Sequence, residues 1–200
     1  MFKKFLFLGA AALTMATTST IAADTSRFRI LLPISATTPS MDAGYKADSL
    51  SPSGFGAHYI MGSGLGIGYT SHKYDFKYAQ EAAGSDPEYK IENSWTNTYL
   101  ELSYTFGSEL TGQVFYAHQL SQTDIELSWS GGGSSGSYTM KEDGSSGNAY
   151  GIIGGYDFGG FEALLGYRSE QNTSKFINLG TATEEKRDRT IINAGIGFTF

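Results

Sequence analysis

A chain of 200 residues with 26 Gly, 13 Tyr and 13 Phe but only 4 Pro suits a single domain of many short strands rather than a helical one. Its formal charge of −6, with no basic patch, argues against nucleic acid as a partner. It holds no Cys, so something other than disulfides must close the fold.

Residues 1–23 read as a secretory signal peptide. Lys3 and Lys4 form a positive start, Phe5–Met15 is a short apolar run, and Ile21-Ala22-Ala23 places small residues before Asp24. The apolar run is too short for a membrane-spanning helix, which takes roughly 20 residues. Loss of the two lysines takes the mature charge from −6 to −8. Residues 24–200 then form the folded domain, and no later segment has the length and apolarity of a membrane helix. A membrane protein with this sequence must therefore cross as a barrel.

Alternation with a period of two runs through the rest of the chain. Arg27–Ile34 places Phe28, Ile30, Leu32 and Ile34 on one face, and Gly54–Ile60 does the same with Phe55, Ala57 and Tyr59. After a tight turn at 61–64, Leu65, Ile67 and Tyr69 alternate with Gly66, Gly68, Thr70 and His72, and the run continues to Tyr78. The fourth run, Glu92–Phe106, sets Leu100, Leu102, Tyr104 and Phe106 against Tyr99, Glu101 and Ser103. Thr111–Trp129 is the least regular, because His118 shares a face with Val114, Tyr116 and Leu120. Beyond it, the Gly/Ser-rich 131–147 leaves room for Ser137–Lys141 to fold back on Ile125–Trp129. Asn148–Phe158 and Phe161–Glu170 are joined by Gly159-Gly160 alone, a hairpin signal. Thr190–Phe200 closes the chain, with Ile192, Ala194, Ile196, Phe198 and Phe200 on one face.

The eight runs are joined by long polar connections near 36–52, 79–90, 131–147 and 172–187, alternating with short ones at 61–64, 107–109 and 159–160. Such sorting is the pattern of an all-β, eight-stranded antiparallel up-and-down transmembrane β-barrel, with tight turns on the periplasmic side, loops outside and both termini on the turn side. Phe28, Tyr59, Tyr104, Phe106, Phe158 and Phe161 all flank short turns or termini, so folding brings them to one level as an aromatic girdle. Tyr69, Tyr150 and Tyr167 mark the opposite level, with Trp95 and Trp129 above it.

The inward face carries many glycines beside Arg29, Glu101, Asp157, Glu162, Arg168 and Glu170. In so narrow a space these charges must pair, since isolated burial costs several kcal/mol each. A closed polar plug, with Arg29 and Arg168 shared among the carboxylates, is the expectation; a conducting path is the alternative. Signs of catalysis are weak. His58, His72 and His118 sit on different strands with no ligand spacing, so neither a metal nor a cofactor is expected. No G-x-S-x-G element is present, and Gly62–Gly68 misses the dinucleotide fingerprint. His118 beside Ser121 is the one place where a lipid-modifying site could lie.

The final run, ending in an aromatic residue, resembles the closing strand of bacterial outer-membrane β-barrels, in which Phe198 and Phe200 would belong to the signal read by the insertion machinery. Residues 24–200 as a whole resemble the small eight-stranded barrels of the opacity, attachment-invasion and outer-membrane protein X type. The resemblance implies a monomer in the bacterial outer membrane, surrounded by lipid and lipopolysaccharide, whose loops contact host or surface molecules. Two other functions stay open: a small channel for small or apolar solutes, like the outer-membrane protein W group, and a lipid-A-modifying enzyme. Runs four and five exceed the roughly 9–11 residues of a spanning strand. Gln122, Asp124, Ile125, Leu127 and Trp129 are therefore expected above the membrane, as an extension open to a partner.

Overall fold

The computed structural model describes residues 25–37, 45–80, 89–178 and 180–200. The signal peptide expected at 1–23 lies outside the described residues, as do 38–44 and 81–88 within the first two long connections. The described strands are β1 (Arg27–Ala36), β2 (Tyr45–Ile60), β3 (Leu65–Gln80), β4 (Tyr89–Phe106), β5 (Leu110–Gln122), β6 (Ile125–Gly131), β7 (Ser134–Glu142), β8 (Ser146–Asp157), β9 (Phe161–Asn178) and β10 (Thr181–Thr199).

Eight of these form a continuous antiparallel wall in the order β1-β2-β3-β4-β5-β8-β9-β10. The wall closes on itself, because β10 pairs with β1 from Arg27↔Thr199 to Ala36↔Ile191. Closure satisfies every strand edge at this level, which a lipid-facing backbone requires. The tight turns depend on glycine in one clear case: Gly107 has φ +86°, and a Cβ there would run into the Leu110 carbonyl.

Above β5 and β8 stands the β6–β7 hairpin, in register from Ile125↔Met140 to Gly131↔Ser134. It continues the wall, since β6 pairs with the upper part of β4 (Tyr89↔Gly131 to Ser94↔Glu126) and β7 meets β9 at Lys141↔Ile177 and Glu142↔Phe176. The run expected as one strand at Thr111–Trp129 is therefore two. The β4–β5 register jumps from Thr98↔Ser121 to Tyr99↔Gln119, which leaves Leu120 as an extra residue, a bulge. Thr123 and Asp124 then separate β5 from β6. This irregularity lets Gln122 and Ile125 both face inward.

The long connections also need correction. Tyr45–Pro52, expected as loop, belongs to β2, and 172–187 is a ladder from Asn172↔Arg187 to Asn178↔Thr181 turned at Gly180. Polar composition suggested loop there; the segments are polar because their outward face meets water.

The strands invert their polarity part-way up. On β3, Leu65, Ile67 and Tyr69 point outward and are exposed, while Gly66, Gly68, Thr70 and His72 are buried inside. Higher on the same unbroken alternation, Lys73 and Lys77 are exposed outside, and Tyr74 and Phe76 are buried inside. The other strands change at matching positions: Leu100 gives way to Thr98, Tyr167 to Ser169, and Ile192 to Thr190. Register ties this boundary across neighbours, through Ser71↔Thr98, Thr98↔Ser121 and Ser169↔Thr190. Below it the barrel is apolar outside and holds its charged groups inside, beside a small apolar cluster with Leu31, Phe115, Ile153 and Leu164; above it the outside is polar and a larger apolar layer lies within.

Candidate functional site

The lower interior is filled by ion pairs. Arg29 is fully buried and grips Glu162 with two bonds, Nε to Oε2 at 2.8 Å and Nη2 to Oε1 at 2.6 Å. It also donates to Gln113 (2.8 Å) and Thr111 (2.9 Å). Gly197 makes room for this group, since a Cβ there would strike the Glu162 carboxylate. Arg27 reaches the same Glu162 from below and donates to the Ser108 carbonyl at 3.2 Å. Higher in the barrel, Arg168 donates from Nη1 to Glu101 at 2.5 Å and from Nε to Glu170 at 2.8 Å, so one guanidinium holds two carboxylates apart. Its plane covers the Tyr99 ring, 4.5 Å from the centroid. Tyr74 donates to Glu170 at 2.7 Å, and Thr70 to Glu101.

His58 and His72 enter the same assembly. His58 Nε2 lies 3.4 Å from Glu101 and its Nδ1 3.1 Å from the Gln113 amide, which links the two arginine clusters. His72 Nδ1 lies 3.3 Å from Glu170. Arg189 stands 3.6 Å from Glu170 and over the Tyr74 ring at 4.2 Å, where the polar interior meets the apolar one. A void of about 10 Å³ remains among His58, His72, Glu101, Arg168 and Asn193. Glu101 Oε2, Arg168 Nη2 and Asn193 Oδ1 have no hydrogen-bond partner there, a space and a set of partners suited to one water.

Above lies an apolar layer of Leu50, Tyr74, Phe76, Trp95, Ile125, Met140, Phe176 and Ile191. Arg187 stacks on Trp95 at 4.5 Å and pairs with Glu185 at 2.7 Å. Trp95, expected above the upper ring, is buried inside the barrel. Tyr69 and Tyr167 do face outward.

Of the residues singled out in the sequence, Arg29, Glu162, Glu101, Arg168 and Glu170 meet as described. Asp157 does not sit among them. It accepts from the Gly159 and Gly160 amides at 2.8 and 3.0 Å, tying the turn, and lies 3.6 Å from Arg27 at the rim. Phe28, Tyr59, Tyr104, Phe158, Phe161, Phe198 and Phe200 are exposed outside, with Phe106 half-buried. Register aligns Tyr59 with Phe28, Phe28 with Phe198, and Phe198 with Phe161, whose rings stand 5.9 Å apart.

The extension residues are placed differently from expectation. Gln122 is buried and accepts from Ser174 at 2.8 Å, and Ile125 is fully buried in the apolar layer, with Leu127 packed against it. Asp124 anchors the hairpin, accepting from Lys141 (2.7 Å) and the Glu142 amide (2.9 Å). The Lys141 bond, with the amide bond beside it, holds its carboxyl below the usual carboxylate range. Leu127 and Trp129 are half-buried. His118 bonds Asn148 (3.2 Å) while Ser121 bonds Thr98 (2.6 Å), so each has its own partner. Among the described residues no group of three metal-ligating side chains converges.

The alternation puts His72 and Tyr99 on inward rows, but it does not mark Arg27, Arg189, His58, His72, Tyr74 or Tyr99 as members of the polar network. Arg27 shares parity with Arg29 in the first run, and Arg189 shares parity with Asn193 and was readable had the closing run been started earlier. The histidine pairs were not, because His58 meets Glu101 over Gly68 of the strand between them and His72 meets Glu170 across the lumen.

An apolar exterior around a charged, packed interior defines the transmembrane class of eight-stranded β-barrels. No family model matches this chain, and no curated protein sequence does. Solved structures similar to it include the Neisserial surface protein A, at 14% identity over 88% of this chain and 96% of that one, TM-score 0.41. Ail, the attachment invasion locus protein of Yersinia pestis, shares 15% identity over 88% and 97%, TM-score 0.35. The outer membrane protein AlkL, solved in DMPC lipid bilayers, shares 13% over 91% and 92%, TM-score 0.45.

Proposed function

We propose that this chain is a monomeric outer-membrane barrel of the bacterial surface, non-catalytic, with a closed interior and an outer extension used for adhesion or another surface contact. The observation that carries this reading is the inversion of polarity on unbroken strands. Below the Ser71–Thr98–Ser121 boundary the wall suits lipid, and above it the same wall suits water outside and packs apolar side chains within. A wall built to stand beyond the bilayer supports a role in contact. The described ends, Ser26 and Phe200, bond each other at the end carrying the short turns, which fits delivery from the periplasm, with Phe198 and Phe200 offered to the insertion machinery. Lipid and lipopolysaccharide surround the apolar belt.

The apolar upper interior favours a second reading, a channel for apolar solutes. Its side chains are packed, however, and the column beneath is occupied by the Arg168 and Arg29 clusters. Two measurements separate these readings. Refolded protein in planar bilayers is expected to show no steady unitary conductance, and bacteria carrying the protein are expected to lose surface adherence when the β6–β7 tip (130–135) is shortened. Steady conductance would establish the channel instead, and unchanged adherence would remove the contact role.

A further inference from the structure

The inner face of the sheet β2-β3-β4-β6-β7 ends, at the mouth, in a row of aromatic rings that is incompletely covered. Tyr45 and Tyr138 are 40% and 37% exposed, and Tyr78, Tyr89 and Trp129 are half-buried. Tyr45 meets Tyr78 edge-on at 5.9 Å, and Tyr89 meets Trp129 at 6.2 Å. Trp129 lies on the bare backbone of Gly136, where a Cβ would come within 2.8 Å of the ring. Opposite, β10 brings Glu185 within electrostatic reach of Tyr78, which Tyr45 and Tyr138 also flank. Arg187 pairs with that Glu185 at 2.7 Å, so the mouth carries no net charge from this couple.

We infer that this aromatic mouth is a binding site for a neutral, hydroxyl-rich ligand of the saccharide class. The inference rests on the surface-contact reading and names its partner's chemistry. An apolar solute would strip water from the tyrosine hydroxyls and the Glu185 carboxylate without replacing it. An anion would meet Glu185, and its natural partner Arg187 is already engaged; a cation would meet Arg187. A sugar ring satisfies both demands. Its C–H face lies on the rings, while its hydroxyls bond the phenol oxygens and Glu185, as amphipathic aromatic side chains allow.

The test uses the processed full-length barrel in phospholipid nanodiscs, free of glycoside detergents, titrated with maltohexaose and with a chitin tetrasaccharide. Trp129 reports at the mouth, and the only other tryptophan, Trp95, is buried. At least one sugar is expected to change the emission saturably and independently of salt. Tyr138→Ala is expected to weaken binding roughly tenfold, the equivalent of one stacking contact, while Tyr138→Phe keeps most of it and guards against misfolding. No saturable change with either sugar overturns the inference. So does tighter, salt-sensitive binding of heparin, which would make it an anion site, or binding of a matrix polypeptide at the same rings without sugar. Adherence lost on shortening the tip, with no sugar bound, removes this inference alone; steady conductance removes the surface reading beneath it.

Discussion

The lower and upper halves of this barrel use one alternation for opposite ends. Below the boundary, Arg29, Glu162, Arg168, Glu101 and Glu170 face one another inside, while Leu102 and Leu165, each more than 60% exposed, face outward. Above it, Trp95, Ile125 and Phe176 face inward, and Lys77 and Glu92 bond outside at 2.8 Å. The backbone is the same ladder in both. The solvent outside each segment decides which residues go in, so the border of the membrane is written in the side chains and not in any break of the strands.

The comparison can be broken most directly at Arg168. Replacing it with alanine leaves Glu101 and Glu170 buried without their shared partner, with an expected loss of about 3–5 kcal/mol. Urea unfolding followed by heat-modifiable gel mobility measures it. In the upper half, Ile125→Ala is expected to cost about 2–5 kcal/mol from a cavity in a fully buried site. Hydrogen exchange should then show the β6–β7 hairpin opening while β1, β9 and β10 stay protected; uniform loss of protection would mean that the halves are one cooperative unit.

A lysine scan up the outside of β3 sharpens the boundary itself. The cost is expected to be about 2–4 kcal/mol at Ile67 and to fall to about 0–1 kcal/mol at Ser71. A flat profile would contradict a border at Ser71. The smallest effect is one of pH. The Asp124 carboxyl is held below its usual range by Lys141 and the Glu142 amide, so its anchoring is fully present above the ordinary carboxylate value of about 3.9 and is lost below it, as pH falls through the lowered value of the folded state. Trp129 emission should report loosening of the hairpin in acid, and Asp124→Asn should remove that step.

Much of the wall was legible because lipid-facing alternation and short turns leave strong local marks: Leu65, Ile67 and Tyr69 could face only one way, and Gly159-Gly160 could only turn. The upper half was legible only in part. Asp188, Lys186 and Glu184 look like a loop when read for composition, yet they are the outward row of a strand whose inward row is Arg189 and Arg187. Trp95, read only for its level, turns inward on the row of Asn97 and Tyr99, because the rule that aromatics ring the lipid reverses once the strand leaves it. The bulge at Leu120 and the pairing of His58 with Glu101 depend on neighbours more than 20 residues away in sequence, beyond any local pattern.

Arg27, Arg29, Arg168 and Arg189 are matched by Glu162, Glu101 and Glu170 inside the barrel and by Asp157 at its rim, four against four. An electric field along the pore axis pulls equally on both sets while both histidines are neutral, so the net electrophoretic force on the column vanishes. A single uncompensated charge crossing the full field would gain about 2.3 kcal/mol per 100 mV. A Donnan potential across the envelope therefore has no lever on this stopper, and voltage ramps should leave it seated.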